Sequence, residues 1–214
     1  MSAKKKNIFF GIILVILLVI VGFRVYTHYF AAPATPIHAT EKNKMASKTF
    51  VVKKQREIKS DGKELKSGFY DCKVVAGVVS FNGIPMKKGQ KILNNEVLND
   101  IVVNLTGSGK ITFTASRFTK LKFRHKVTKL TNTYGNFYVG KDIPQGKYQI
   151  KILGDGAAVN VMTEKKNTGS ANGDSYQSGQ TTSVKLAAGS ILRLWGPMGE
   201  LKPNKNVTIE LTRE

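Results

Sequence analysis

Asp142-Ile143-Pro144-Gln145-Gly146-Lys147-Tyr148-Gln149-Ile150 reads as a turn that feeds a strand. Pro144 pre-sets φ at the first central turn position, and Gly146 tolerates the positive φ that can follow. From Lys147 to Ile152 polar and apolar residues alternate, the period of a half-buried strand. Upstream, Glu64-Leu65-Lys66-Ser67-Gly68-Phe69-Tyr70-Asp71-Cys72 repeats the pattern, with Gly68 standing 78 positions before Gly146. Val102-Val103-Asn104-Leu105 also parallels Ser183-Val184-Lys185-Leu186, and Leu121-Lys122-Phe123 parallels Leu201-Lys202-Pro203. Two copies are fewer than the three a solenoid needs. The pattern therefore predicts an all-β fold of two related antiparallel, sandwich-like units, either tandem small domains or one pseudo-symmetric domain.

Boundaries follow from turn signals and period. A first β domain is expected over 49–130 and a second over 131–214. In the first, Phe50-Val51-Val52 reads as an edge strand that turns basic, and Asp61-Gly62 as a turn. Further strands are expected at 68–75, 77–82, 90–93, 101–106, 109–115 and 118–128, punctuated by Asn82-Gly83 and Gly107-Ser108-Gly109. In the second, strands are expected at 136–140, 146–153, 157–163, 181–186, 190–195 and 205–212. The polar run from Thr163 to Thr182 reads as a mobile loop.

The N-terminus reads differently. Residues 1–7 form a basic tail containing Lys4-Lys5-Lys6, followed by an uncharged apolar run from Ile8 to Phe23. With Arg24 snorkelling and Tyr26, Tyr29 and Phe30 at the interface, 8–30 reaches the ~20 residues of a transmembrane helix. Three lysines before the run predict a cytoplasmic N-terminus, a single-pass membrane protein and an external remainder. A cleaved signal peptide, ending near Ala32-Pro33-Ala34 and releasing a secreted form, is the rival reading. Residues 31–48 read as a linker, broken by Pro33 and Pro36.

The chain of 214 residues carries a net charge of +20, distributed as +9 over 1–66, +8 over 67–132 and +3 over 133–214. A field of this sign draws polyanions. From Lys120 to Val127 the alternation places Lys120, Lys122, Arg124 and Lys126 on one strand face, with Leu121, Phe123, His125 and Val127 on the other. The four-cation stripe is the candidate polyanion contact; the plain alternative is a solvated outer face. Arg193 and Trp195, the only tryptophan, fall on an outer face opposite Leu192 and Leu194 and form a candidate partner-binding pair.

Other chemistry is missing. His28, His38 and His125 have no metal spacing with Cys, Asp or Glu, so no metal or cofactor is expected. Gly154-Asp155-Gly156 is a turn signal without a following helix. Ser190 lacks a nucleophile-elbow context, and no carboxylate pair recommends itself for acid–base work. The single cysteine, Cys72, excludes an intramolecular disulfide and reads as a core residue.

The stretch Phe137-Tyr138-Val139-Gly140-Lys141-Asp142-Ile143-Pro144-Gln145-Gly146-Lys147-Tyr148 resembles a segment of uncharacterised envelope proteins of Gram-positive bacteria. There a valine-glycine-x-aspartate-isoleucine-proline-x-glycine-x-tyrosine segment opens a small β domain, and a glycine-led strand closes it, here Ala188-Gly189-Ser190-Ile191-Leu192. The resemblance covers 137–203; over 63–123 Leu65-Lys66 stands where the Ile-Pro pair would be. It implies an exported protein, tethered by a lipid or a helix, and implies no particular enzymatic activity. Together these readings predict a non-enzymatic, membrane-anchored envelope protein that binds anionic wall polymer or a partner envelope protein. Surface nucleic-acid binding is the second candidate.

Overall fold

The computed structural model describes residues 16–22, 47–60, 64–98, 100–165, 171–199 and 202–214. The chain divides into two compact units, Met1–Pro33 and Ala34–Glu214. In the first, the described residues 16–22 form a helix of seven residues. Among the described residues no helix is long and apolar enough to cross a membrane. This corrects the single-pass anchor expected over 8–30 and the membrane localisation drawn from it. The basic tail, the flanks of the apolar run, Ala32-Pro33-Ala34, most of the linker, His28, His38 and Asp61-Gly62 lie outside the described residues.

The second unit is β-rich. Its strands are β1 (Lys48–Val52), β2 (Gln55–Lys59), β3 (Gly68–Phe81), β4 (Ile84–Lys87), β5 (Lys91–Val97), β6 (Val102–Ala115) and β7 (Val127–Thr131). Then follow β8 (Thr133–Tyr138), β9 (Gly146–Leu153), β10 (Ala158–Glu164), β11 (Ala171–Gln177), β12 (Thr181–Leu186), β13 (Ile191–Trp195) and β14 (Thr208–Arg213). One sheet runs β1-β6-β3-β5-β8-β13-β10-β11, with β2 also on β6 and β4 on β3; the other runs β12-β9-β14-β7. Every pairing is antiparallel except β5 with β8.

The pairings reveal one plan used twice. In the first half β1, the C-terminal part of β6, the N-terminal part of β3, and β5 lie side by side. In the second half β7, β14, β9 and β12 lie in the same order. The remaining strands match as well: β2, the N-terminal part of β6, the C-terminal part of β3, and β4 correspond to β8, β13, β10 and β11. Chain order is preserved throughout. Tyr70 faces Ala115 across the ladder as Tyr148 faces Arg213, and Phe50 faces Ile111 as Leu130 faces Ile209.

The quoted stretch anchors both copies. Leu65 and Ile143 are fully buried, and Tyr70 and Tyr148 are buried beside them. The Tyr70 hydroxyl donates to the Lys66 carbonyl at 2.7 Å, and the Tyr148 hydroxyl donates to the Pro144 carbonyl at 2.7 Å. Each phenol thus closes its own turn four residues back, which satisfies a polar tip inside an apolar core.

Some expected pairs are not equivalent. Val102–Leu105 lies in the part of β6 that matches β13, whereas Ser183–Leu186 lies in β12, which matches β5. β6 runs unbroken through Gly107-Ser108-Gly109, which were expected to punctuate the strands, and β3 joins the two strands expected at 68–75 and 77–82. At that crossing a Cβ on Gly77 would sit 2.1 Å from the Ser108 carbonyl oxygen, and one on Gly109 would sit 2.3 Å from that of Ala76. The glycines therefore permit close strand contact rather than end a strand. The polar run 163–182 holds β11, an edge strand, so only part of it is loop. The boundary expected between 130 and 131 falls within β7 and the ladder that follows it. β5 pairs with β8 across it, and one core joins residues of both halves. Cys72 is fully buried in that core.

Candidate functional site

The site lies where the halves meet. β5 and β8 pair in parallel over Lys91–Leu93 and Thr133–Gly135. Beside that ladder runs the connection from β6 to β7, which has no strand of its own and in which Phe118 is left-handed (φ 47°). Its Leu121 N–H donates to the Asp142 carbonyl at 2.8 Å. Leu121 and Phe123 pack on the core, Phe123 with its ring 5.9 Å from that of Tyr148. The alternation of the connection then turns Lys120 and Lys122 to the exposed side.

These two lysines line one cleft of about 520 Å³ together with Lys91 from β5 and Lys129 from β7. Lys129 is held by Glu210 at 2.9 Å. Lys120 and Lys122 form no ion pair among the described residues. Thr131 and Thr133 bring hydroxyls, Leu121 and Leu130 apolar surface, and Asp71 a carboxylate.

The stripe expected as one strand is thus divided. Arg124 and Val127 exchange both backbone hydrogen bonds at 2.9 Å, and between them His125 (φ 48°) and Lys126 (φ 66°) are left-handed. Two consecutive positive φ values make a tight hairpin turn that reverses the chain. Arg124 and Lys126 sit exposed at this turn, outside the cleft lining, and His125 is exposed instead of facing inward.

Beneath the cleft is a polar network that joins the halves. Asp71 Oδ1 accepts from the Asn94 N–H at 3.0 Å and from the Ser116 hydroxyl at 2.8 Å. Asn94 Nδ2 donates to the Asn136 carbonyl at 3.0 Å, and Asn136 Nδ2 donates to the Asn94 carbonyl at 3.1 Å. Asp142 Oδ2 accepts from the Tyr138 N–H at 2.9 Å. Asp142 Oδ1 is buried and has no hydrogen-bond partner among the described residues. Burial raises the Asp71 pKa and pushes that of Asp142 up to about 6.

Asp71, Lys91, Asn94 and Lys129 escaped the sequence reading. Asn94 left one trace: an Asn-Asn pair inside an apolar run marks an irregular strand, and Asn94 does adopt φ 53°.

Arg193 and Trp195 alternate with buried Leu192 and Leu194 and are themselves half-buried. The Arg193 guanidinium lies 5.7 Å from the Trp195 ring centroid, and its Nε–H donates to Glu164 at 2.9 Å. The Trp195 indole N–H donates to Asn136 Oδ1 at 3.0 Å. The pair is therefore braced from within. No group of His, Cys, Asp and Glu able to hold a metal occurs among the described residues. No protein-family model matches the chain, and no curated protein matches it.

Proposed function

We propose that the β unit is a non-enzymatic binding module for an anionic polymer. The carrying observation is the cluster of Lys91, Lys120, Lys122 and Lys129 around one cleft, three of them without a salt bridge among the described residues, in a chain of net charge +20. Cations left unpaired at a concave surface hold a positive potential that an anionic chain neutralises. Arg124 and Lys126, at the adjacent turn, extend the contact along the polymer. Anionic wall polymer is the first ligand and nucleic acid the second. Asp142 is 0% exposed and out of reach of a substrate, which leaves Asp71 as the only carboxylate in the cleft lining. The internal bracing of Arg193 and Trp195 favours a packing role for that pair over docking of a partner protein.

The test is binding of the full chain to purified anionic wall polymer and to DNA across a salt series. Saturable binding to one polymer that persists at ~0.15 M salt is expected. Binding to neither, or equal binding to both that vanishes by that salt, overturns the proposal.

A further inference from the structure

Four lysines and a carboxylate on one cleft are more than a passing polymer backbone requires. We propose that the cleft at the junction of the halves is a pocket for a single phosphorylated polyol or sugar unit, which makes it the specificity element of the polymer-binding surface. This rests on the anionic-polymer reading and goes beyond it.

Size gives the first support. At about 520 Å³ the cleft falls among ligand pockets, which run to roughly 300–1,000 Å³. A bare anion leaves most of it empty, whereas an esterified polyol or sugar fills it. Charge gives the second. Lys91, Lys120 and Lys122 reach the cleft from two separate segments, with Lys129 beside them. Several ammonium groups on one cavity suit a phosphate, which carries more charge and more acceptor oxygens than a carboxylate.

The third support is the remaining lining. Asp71 repels a naked phosphate but accepts a hydrogen bond from a hydroxyl. Its Oδ1 is fixed in place by Asn94 and Ser116, so the acceptor is pre-oriented. Thr131 and Thr133 provide hydroxyl partners. A ligand with an anionic end and a hydroxylated body meets this combination; an anion alone or an uncharged sugar alone meets half of it. The cleft exists only at the junction. Its walls come from β5, from β7 and β8, and from the connection, so neither half forms it alone.

Titration of the full chain with glycerol 3-phosphate, inorganic phosphate and glycerol tests this, alongside binding of the intact polymer. Saturable binding of glycerol 3-phosphate is expected, at least about tenfold tighter than either fragment. Lys91→Ala combined with Lys122→Ala should abolish it, whereas Lys53→Ala combined with Lys54→Ala, exposed and outside the cleft lining, should leave it unchanged. Thermal melting of each variant establishes that it is folded, and Lys122→Ala alone, on the exposed connection, replaces a double variant that is not. Inorganic phosphate binding as tightly as the ester overturns the pocket. So does polymer binding without any monomer binding, although the anionic-polymer reading then stands. Failure of both polymer and monomer to bind overturns both.

Discussion

The two halves share a strand plan but turn the corner between their layers differently. In the first, β3 and β6 carry through the corner as 14-residue strands, with a register shift between Val74 and Ala76. In the second, the chain is cut there: β9 ends at Leu153 before β10, and β13 ends at Trp195 before β14. Gly154 keeps the close approach, since a Cβ on it would sit 1.9 Å from the Asn206 carbonyl oxygen. The corner is thus a steric requirement of the plan, and continuity of the strand through it is optional. What the plan needs twice is the tyrosine-closed turn; what it needs once is the junction.

The junction is single for a reason visible in the edges. Gly135 opposes Leu194 on β13 as Arg56 opposes Leu105 on β6. A Cβ on Gly135 would come within 2.6 Å of the Leu93 carbonyl oxygen. Arg56 cannot make that approach, and Lys54 and Lys59 beside it deter strand addition at the β2 edge. Gly135→Val should therefore separate the halves and carry the largest cost here, about 3 kcal/mol or more, because it combines a backbone clash with φ 151°. Arg56→Val at the matching place should cost under ~1 kcal/mol. Urea denaturation of the two variants measures the contrast; equal costs would break it.

The matched positions Glu64 and Asp142 sharpen the comparison through pH. Asp142 has a folded pKa of about 6 against an ordinary value of 3.8, because burial disfavours its charge. The folded state therefore binds this proton more tightly than the unfolded chain. Stability from the group is complete below the ordinary value and is lost as pH rises through about 6. Asp142→Asn keeps an acceptor for the Tyr138 N–H and removes the buried charge. It should stabilise the protein by about 1–2 kcal/mol at neutral pH, with the gain fading on acidification through that window. Melting temperature against pH checks it, and a gain that grows toward acid would contradict the sign.

Tyr70→Phe and Tyr148→Phe test the turn itself. Each removes a hydroxyl and leaves one carbonyl without its donor, at about 1 kcal/mol. Equal losses in chemical denaturation would support equivalence of the two corners. A loss confined to one would show that the second corner is held by other contacts.

These corners were the most legible part of the chain, because Gly68 and Gly146, the following tyrosine and the alternating strand are all local signals. Asn82-Gly83 was legible on the same ground, and both residues take the positive φ of a two-residue hairpin. The connection 118–128 misled because alternation reports which side chains turn inward, not whether a strand neighbour exists. Leu121 and Phe123 bury themselves without a ladder. The turn at His125-Lys126 has neither Gly nor Asn to announce it. β11 carries no apolar period, being an edge strand exposed along most of its length. The cleft could not be read at all beyond Lys120 and Lys122. Lys129 joins them through the unannounced turn at His125-Lys126, and Lys91 through the parallel β5–β8 pair, whose register depends on tertiary contacts rather than on any local turn.

The smallest expected effect isolates what burial adds at the shared position. Glu64, the first-half counterpart of Asp142, pairs with Arg56 at 2.6 Å, and both side chains are more than a third exposed. Solvent and salt screen such a pair, so Glu64→Gln should change stability by under ~0.5 kcal/mol. Arg56 would keep its place over the Phe50 ring, 5.1 Å from the centroid, which limits the loss further. One position in one strand plan would then carry an exposed carboxylate in the first half and a buried one in the second. The difference arises because only the second copy is covered by the junction. If Glu64→Gln instead matched Asp142→Asn in the size of its effect at neutral pH, the covering by the junction would not be the cause.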